Sequence, residues 1–408
     1  MPQPPNRLLI ARNTTRGVDL PDHQEPCAAF NVPAPGPYLL AHSVGCVTHA
    51  AIRELQSSFI DPWVRLSADA WPQWLECVGQ FRQALASFFG GSIEEYCPQP
   101  GVSAGLASVL AAMPRPDPGR RVWLASEDAF PSMGFVLQQA HRLGYEVRLI
   151  PRDRRPDSLD TWTEAIQPDV CGVLITHVHF NSGRVSPVRA IAGICRARGV
   201  LSVLDIAQSA GIVPIDAHAL GVDVMLGSCV KWLCGGPGAG FLWIREPLLS
   251  TMDPVNVGWF SHESPFEFDI RSYRHAPDAR RFWGGTPSIV PYVMAAASLG
   301  VLQDIGLERL VSHNRRLTEA MRARLPQEWQ DALPEHPIGG TLCLDLGADR
   351  AGVQERLVAA GVRSDHRGSV LRMSFHLWNS DEDVDLVARS WPRRASRTVL
   401  QPQIQGSP

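Results

Sequence analysis

The stretch VLSVLDIAQSAGIVPIDAHALGVDVMLGSCVKWLCGGPGAGFLWI, residues 200–244, decides the fold. Two short apolar runs, VLSVLDIA (200–207) and VDVMLGS (222–228), bracket a turn-rich interval. Both are apolar at consecutive positions, as expected of strands buried on both faces of a parallel sheet. Ligands of such open sheets sit beyond the carboxyl ends of the strands. Asp205 closes VLSVLD (200–205) in the first run and Lys231 follows the second, so both are expected at one crevice. The Gly-Pro-Gly at 236–238 then lets backbone approach closely. By residue type alone, Asp205 would serve equally well as a strand-end helix cap.

Working outward, further strand candidates are VWLAS (122–126), YEVRLIP (145–151) and CGVLITHV (171–178). Between them AFPSMGFVLQQAHRLG (129–144) and SPVRAIAGICRARG (186–199) carry helical spacing. This alternation predicts an α/β fold, with a mostly parallel central sheet covered by helices. Helices over 289–304 and 307–325 follow, then LCLDLGA (342–348), GVQERLVAAGV (352–362), SVLRMSFH (369–376) and EDVDLVARSW (382–391), which read as a smaller α+β region. The 408 residues suit two domains. We expect an arm at 1–30, a large domain at 31–290, a small domain at 291–392 and a disordered tail at 393–408.

Charge and composition exclude several classes. The net charge of −3 gives no electrostatic footprint for nucleic acid or an anionic membrane. No apolar run approaches a membrane span, and the N-terminal MPQPPNRLLIARNTTRG lacks a signal-peptide core. The nine cysteines are scattered without a C-x-x-C pair, so neither a metal site nor a disulfide framework is expected. A reducing, cytoplasmic setting is the default.

One count stands apart. Of 38 basic residues, Lys231 is the only lysine. Arginine supplies surface charge equally well but cannot serve as a nucleophilic amine, whereas lysine can when burial lowers its pKa. Chance survival in an arginine-rich composition is the bland alternative.

With Asp205 and Lys231 in place, the segment LDIAQSAGIVPIDAHALGVDVMLGSCVKWLCGGPG (204–238) resembles the class V aminotransferase group of fold-type I enzymes that use pyridoxal phosphate (PLP), and within it the kynureninases. The likeness runs through about residues 35–390. It implies a homodimer with shared active sites, acting on a small amino-acid substrate. It also implies PLP held as a Schiff base on Lys231, with Asp205 facing the pyridinium nitrogen and Gln208 and Ser228 among the cofactor contacts. PQPGVSAGLASVL (98–110) resembles the family's phosphate loop, which carries the contact role onto Gly101, Val102 and Ser103; a plain helix cap at Ser103 is the alternative. In SEDAFPSMGF (126–135), Phe130 would stack on the cofactor ring or simply fill the core.

VGWFSHESPFEFD (257–269) and RRFWGGTPS (280–288) resemble interface segments of kynureninases. There Trp259 would reach the phosphate, and Thr286 would reach it from the neighbouring subunit. GVRSDHRGSVLRMSFHLWN (361–379) resembles the stretch ending in the arginine that grips the substrate carboxylate. Arg372 takes that role, suited to a planar fork. His42, His262 and His376 could line the site, but each would serve more commonly as a structural or surface histidine, and none is assigned a role.

The chain departs from kynureninases at four places. Val230 stands where they carry tyrosine before the lysine, Cys234 where asparagine follows, His179 at an asparagine position, and Gln208 where histidine is frequent. The likeness to desulfurases of the same group is weaker, because SDHRGSVL (364–371) lacks their loop cysteine. A kynureninase-like lyase or hydrolase is therefore the first expectation. An aminotransferase, or an elimination or racemisation enzyme of a biosynthetic pathway, is the second, and a catalytically silent scaffold the third.

Overall fold

The computed structural model describes residues 26–65, 69–333 and 339–391. Residues 1–25 of the expected arm and the whole expected tail lie outside the described residues.

The strands are β1 (Tyr96–Gln99), β2 (Val122–Ser126), β3 (Glu146–Ile150), β4 (Val170–Thr176), β5 (Leu201–Asp205), β6 (Val224–Ser228), β7 (Gly240–Ile244), β8 (Thr341–Asp345), β9 (Asp365–Arg367) and β10 (Val370–Ser374). The first seven form one sheet in the order β1-β7-β6-β5-β4-β2-β3. From β3 to β6 neighbouring strands are parallel, and β7 runs antiparallel to both β6 and β1. The mostly parallel sheet expected from residues 122–228 is therefore present, with two elements added. Neither β1 nor β7 was expected as a strand. β1 contains Pro98, which cannot donate to a ladder and is tolerated here because β1 lies at the sheet edge. β7 begins at Gly240, two residues after the Gly-Pro-Gly of 236–238, whose composition hid it.

Successive strand residues point to opposite faces, and both faces are dry. Leu124, Ile175, Leu204, Met225 and Phe241 enter one core, with the Trp71–Phe89 and Val290–Ile305 helices. Their chain neighbours Trp123, Leu174, Val203, Leu226 and Leu242 enter the other, under the Val102–Ala112 and Pro131–Gln139 helices. This explains why the sequence shows continuous apolar runs rather than alternation.

The Val290–Ile305 helix buries Tyr292, Ala295 and Leu299 in the large core. At Gly306, with φ +89°, the chain turns by 78° into the Leu307–Arg324 helix. That helix joins a third core with β8, β10 and the Arg350–Ala359 and Asp381–Ser390 helices. The small sheet is antiparallel in the order β8-β10-β9. Leu39 also sits in this third core, and bridges at Tyr38–Arg363 and Leu40–Ser374 tie the segment before the first helix to the small sheet. His42 is thereby carried to β10. No single helix among the described residues is long and apolar enough to cross a membrane.

Candidate active site

A cavity of about 210 Å³ opens at the carboxyl ends of β4, β5 and β6. Its lining contains Val102, Ser103, Phe130, Asp205, Gln208, Ser228 and Lys231 from the sequence-derived set. Asp205 arrives as the last residue of β5, paired in register with Thr176 of β4. Ser228 ends β6, and Lys231 stands three residues further on, in the turn before β7.

At one end of the cavity the Val102–Ala112 helix begins. Its first N–H groups have no partners within the helix and carry the positive end of its dipole. Val102 and Ser103 from this end, together with Ser228 of the lining, supply donors suited to a phosphate. The helix starts at Val102, so Ser103 lies inside it and is not its cap. Gly101 precedes it, and Gly240 of β7 packs against its backbone: a Cβ on Gly240 would lie 2.6 Å from the Gly101 Cα. Only glycine at 240 lets the loop come so close.

The opposite wall carries Phe130, whose ring centroid lies 5.7 Å from Lys231 Nζ. Phe180 meets Phe130 edge to face at 5.3 Å. Burial lowers the Lys231 amine from an ordinary 10.5 to about 8; Asp205 pulls the other way, while Arg372 and Arg367 add to the depression. Asp205 is 6% exposed. Burial raises its pKa, against the lowering effects of the Ala207 N–H, 2.8 Å from Oδ1, and of Lys231.

Arg372 lies just behind this lining, 2% exposed. It donates from Nε to Asp365 Oδ1 at 2.8 Å, from Nη2 to Asp365 Oδ2 at 2.5 Å, and from Nη1 to the Phe180 carbonyl at 3.1 Å. Phe180 lines the cavity, so the arginine is tied to its wall. Burial alone would raise the Asp365 pKa, but hydrogen bonds from His42 and Arg372 hold its carboxyl well below the usual range.

Two carried-over residues stand elsewhere. Trp259 packs among Trp71, Phe260, Phe266 and Phe268, outside the cavity lining of its own chain. Thr286 is exposed, also outside it. His262 accepts the Ser264 N–H on Nδ1 at 2.9 Å and braces a loop. His376 stacks between Trp232 and Trp378, and burial lowers it to about 3.

The sequence reading did not single out Thr176, Phe180, Asp365 or Ser374. Asp365 entered only within the kynureninase-like D-x-R-…-L-R match that ends at Arg372, with no role of its own. Phe180 and Thr176 carried none, since an aromatic or hydroxyl residue after an apolar strand is ordinary.

The cavity can be tested as a PLP site on its own atoms. It holds a single amine, a buried carboxylate that accepts from one backbone N–H, and an aromatic ring beside the amine. A helix N-terminus faces it, and the buried Thr176 Oγ1 has no hydrogen-bond partner among the described residues. Each group has a use: the amine for the aldehyde, the carboxylate for the ring nitrogen, the helix end for the phosphate, the hydroxyl for a ring substituent. The residues fit the cofactor.

Fold and site together define a PLP-dependent enzyme with a mostly parallel α/β sheet. Comparison with known proteins agrees. The chain belongs to the class V aminotransferase family, whose model matches residues 74–333. It is 31% identical to a kynureninase of Deinococcus radiodurans over 391 residues, covering 90% of this chain and 93% of that protein. It is 29% identical to the uncharacterised aminotransferase YcbU of Bacillus subtilis, covering 77% and 83%. Among solved structures, the cystine C–S lyase C-DES superimposes with a TM-score of 0.78 at 22% identity, covering 88% of this chain and 97% of that one. The cysteine desulfurase of Thermococcus onnurineus NA1 gives 0.74 at 21%, covering 87% and 93%. At such identities these two structures speak for the fold alone.

Proposed function

We propose that the enzyme is a kynureninase-like hydrolase, which splits an aromatic γ-keto amino acid such as L-kynurenine between Cβ and Cγ. The observation that carries this reading is the extent of the likeness to the D. radiodurans kynureninase, nearly end to end on both chains. The aromatic wall of Phe130 and Phe180 accords with a ring-bearing side chain.

When bound, PLP supplies an electron sink for the pair left at the substrate Cα. The protein does the rest. The Val102 and Ser103 end of the helix and Ser228 hold the phosphate end of the cofactor. Asp205 keeps a proton on the ring nitrogen by its negative charge. Lys231, on the cavity wall, takes and returns the proton at Cα. Arg372 holds the substrate carboxylate. Water adds a hydroxyl to the side-chain carbonyl carbon, and Cβ takes a proton as the bond between them breaks, which yields anthranilate and alanine.

The test is incubation of the PLP-loaded protein with L-kynurenine, following anthranilate and alanine. Equimolar release of both is expected. A spectral response without cleavage would overturn the hydrolase reading.

A second reading is favoured by Val230, which lines the cavity where kynureninases carry tyrosine. An aminotransferase needs no such residue, and YcbU is a relative of that kind. Accumulation of pyridoxamine phosphate with an amino donor would mark it. A homodimer with shared sites belongs to the same proposal. It is supported by the exposed Phe266 and Phe268 beside Trp259 and by Ile270, two residues further along the chain and 98% exposed.

A further inference from the structure

Behind the cavity wall a chain of hydrogen bonds joins three segments distant in sequence. His42 Nε2 lies 2.9 Å from Asp365 Oδ1, and His42 Nδ1 lies 2.8 Å from Ser374 Oγ. The directions can be assigned. Asp365 accepts from Arg372 with both oxygens and stays ionised, so Nε2 must carry the proton and donate. Nδ1 then accepts the Ser374 hydroxyl proton, while Ser374 Oγ accepts the His42 backbone N–H at 3.1 Å. The Leu39 carbonyl lies 3.1 Å from that hydroxyl and accepts the Ser374 N–H at 3.0 Å, but a hydroxyl turned to it would leave the Nδ1 lone pair facing an oxygen at 2.8 Å. Ser374 and His42 thus donate toward Asp365 from one side, while Arg372 donates to it from the other and to the Phe180 carbonyl besides.

The series decides how Arg372 meets a ligand. A guanidinium has five N–H groups, and three are taken: Nε and one on Nη2 by Asp365, one on Nη1 by Phe180. One remains on each terminal nitrogen. Asp365 takes the side of the fork formed by Nε and Nη2, so a carboxylate can meet only the N–H groups left on the two terminal nitrogens. Asp365 is in turn fixed by His42, which is 1% exposed and cannot swing away without opening the core.

We propose that His42 is a positioning residue for carboxylate recognition: it locks Asp365 so that Arg372 presents only its end-on pair of N–H groups to the substrate α-carboxylate. The inference rests on the reading of Arg372 as the carboxylate anchor. It adds a residue and a direction of approach to that reading. Phe180 is the other fixed point, since its carbonyl holds Nη1 while its ring lines the cavity.

The test compares dissociation constants of the PLP-loaded enzyme for L-alanine and for ethylamine, read from the cofactor absorbance. The two probes share the amine, and only the first has a carboxylate. The ratio of the two constants isolates carboxylate recognition from general damage to the site. His42→Phe should reduce the preference for L-alanine about tenfold, the usual scale for a lost hydrogen bond to a charged group, with ethylamine unchanged. His42→Gln, which can place an N–H near Asp365, should restore most of it.

Arg372→Met separates the two ideas. If Arg372→Met removes the preference and His42→Phe leaves it intact, the His42 role is wrong and the anchor stands. If Arg372→Met leaves the preference unchanged, or the wild type shows no saturable response to L-alanine, the anchor reading fails and the proposal with it. Equal weakening of both probes by His42→Phe would mark a merely structural histidine and overturn the proposal.

Discussion

Asp205 and Lys231 enter one cavity from the ends of neighbouring strands, and burial moves each toward its neutral form. The carboxyl is raised, the amine is lowered to about 8, and the charge of each partly restores the other. The amine is therefore available as a nucleophile near neutral pH, where an exposed lysine is almost wholly protonated.

Because Lys231 is the only lysine, its titration can be followed chemically. In the cofactor-free protein, acylation at Lys231, located by peptide mass, should rise with pH around a midpoint near 8. Asp205→Asn removes the charge that supports the ammonium and should move the midpoint lower. A midpoint near 10.5 would mean that the amine is solvated.

The same shift affects stability, with a definite sign. Between about pH 8 and 10.5 the unfolded chain keeps the Lys231 proton and the folded chain has lost it. Raising pH through this window therefore stabilises the cofactor-free protein relative to Lys231→Met. Urea midpoints of the two proteins at several pH values should diverge in that direction.

Much of this site was legible because its parts sit where strand ends must deliver them. Asp205 closes β5, so an apolar run with a polar final residue was enough to place it, whereas Ser228, which closes β6, came from the family resemblance. Lys231 was marked by its singularity. Phe180 and Thr176 were hidden because their roles arise from neighbours far away in sequence: Phe180 matters through a carbonyl that meets Arg372, 192 residues later. β1 was hidden by Pro98, which only the edge position excuses. Tertiary pairing between remote segments, rather than local pattern, put these residues where they are.

Gly240→Ala should weaken cofactor binding. The added methyl would lie 2.6 Å from the Gly101 Cα and 2.7 Å from its nitrogen, and both are backbone atoms without a rotamer to yield. Relief requires β7 or the start of the Val102–Ala112 helix to move, displacing the N–H groups assigned to the phosphate. Overpacking of this kind costs about 1–3 kcal/mol, and a loss of roughly tenfold or more in PLP affinity is expected. Fluorescence titration of the cofactor-free variant measures it. Unchanged affinity would remove the helix start from the phosphate site.

Asp365→Asn tests the strength of the network beneath Arg372. The substitution leaves a buried guanidinium, its side chain 3% exposed, without its anion, and losses of about 3 kcal/mol are usual for a buried pair broken on one side. The pH dependence follows from the lowered Asp365 pKa. Its contribution is fully present above the ordinary carboxylate value of 3.8 and fades as pH falls below that toward the lower folded value. Urea unfolding at pH 7 should therefore show a large difference between wild type and variant, narrowing only in strong acid. If instead the two proteins converge between pH 7 and 5, the stabilising charge resides on a group that titrates there, and His42 is the neighbour to replace next, since its Nε2 contacts the same carboxylate oxygen.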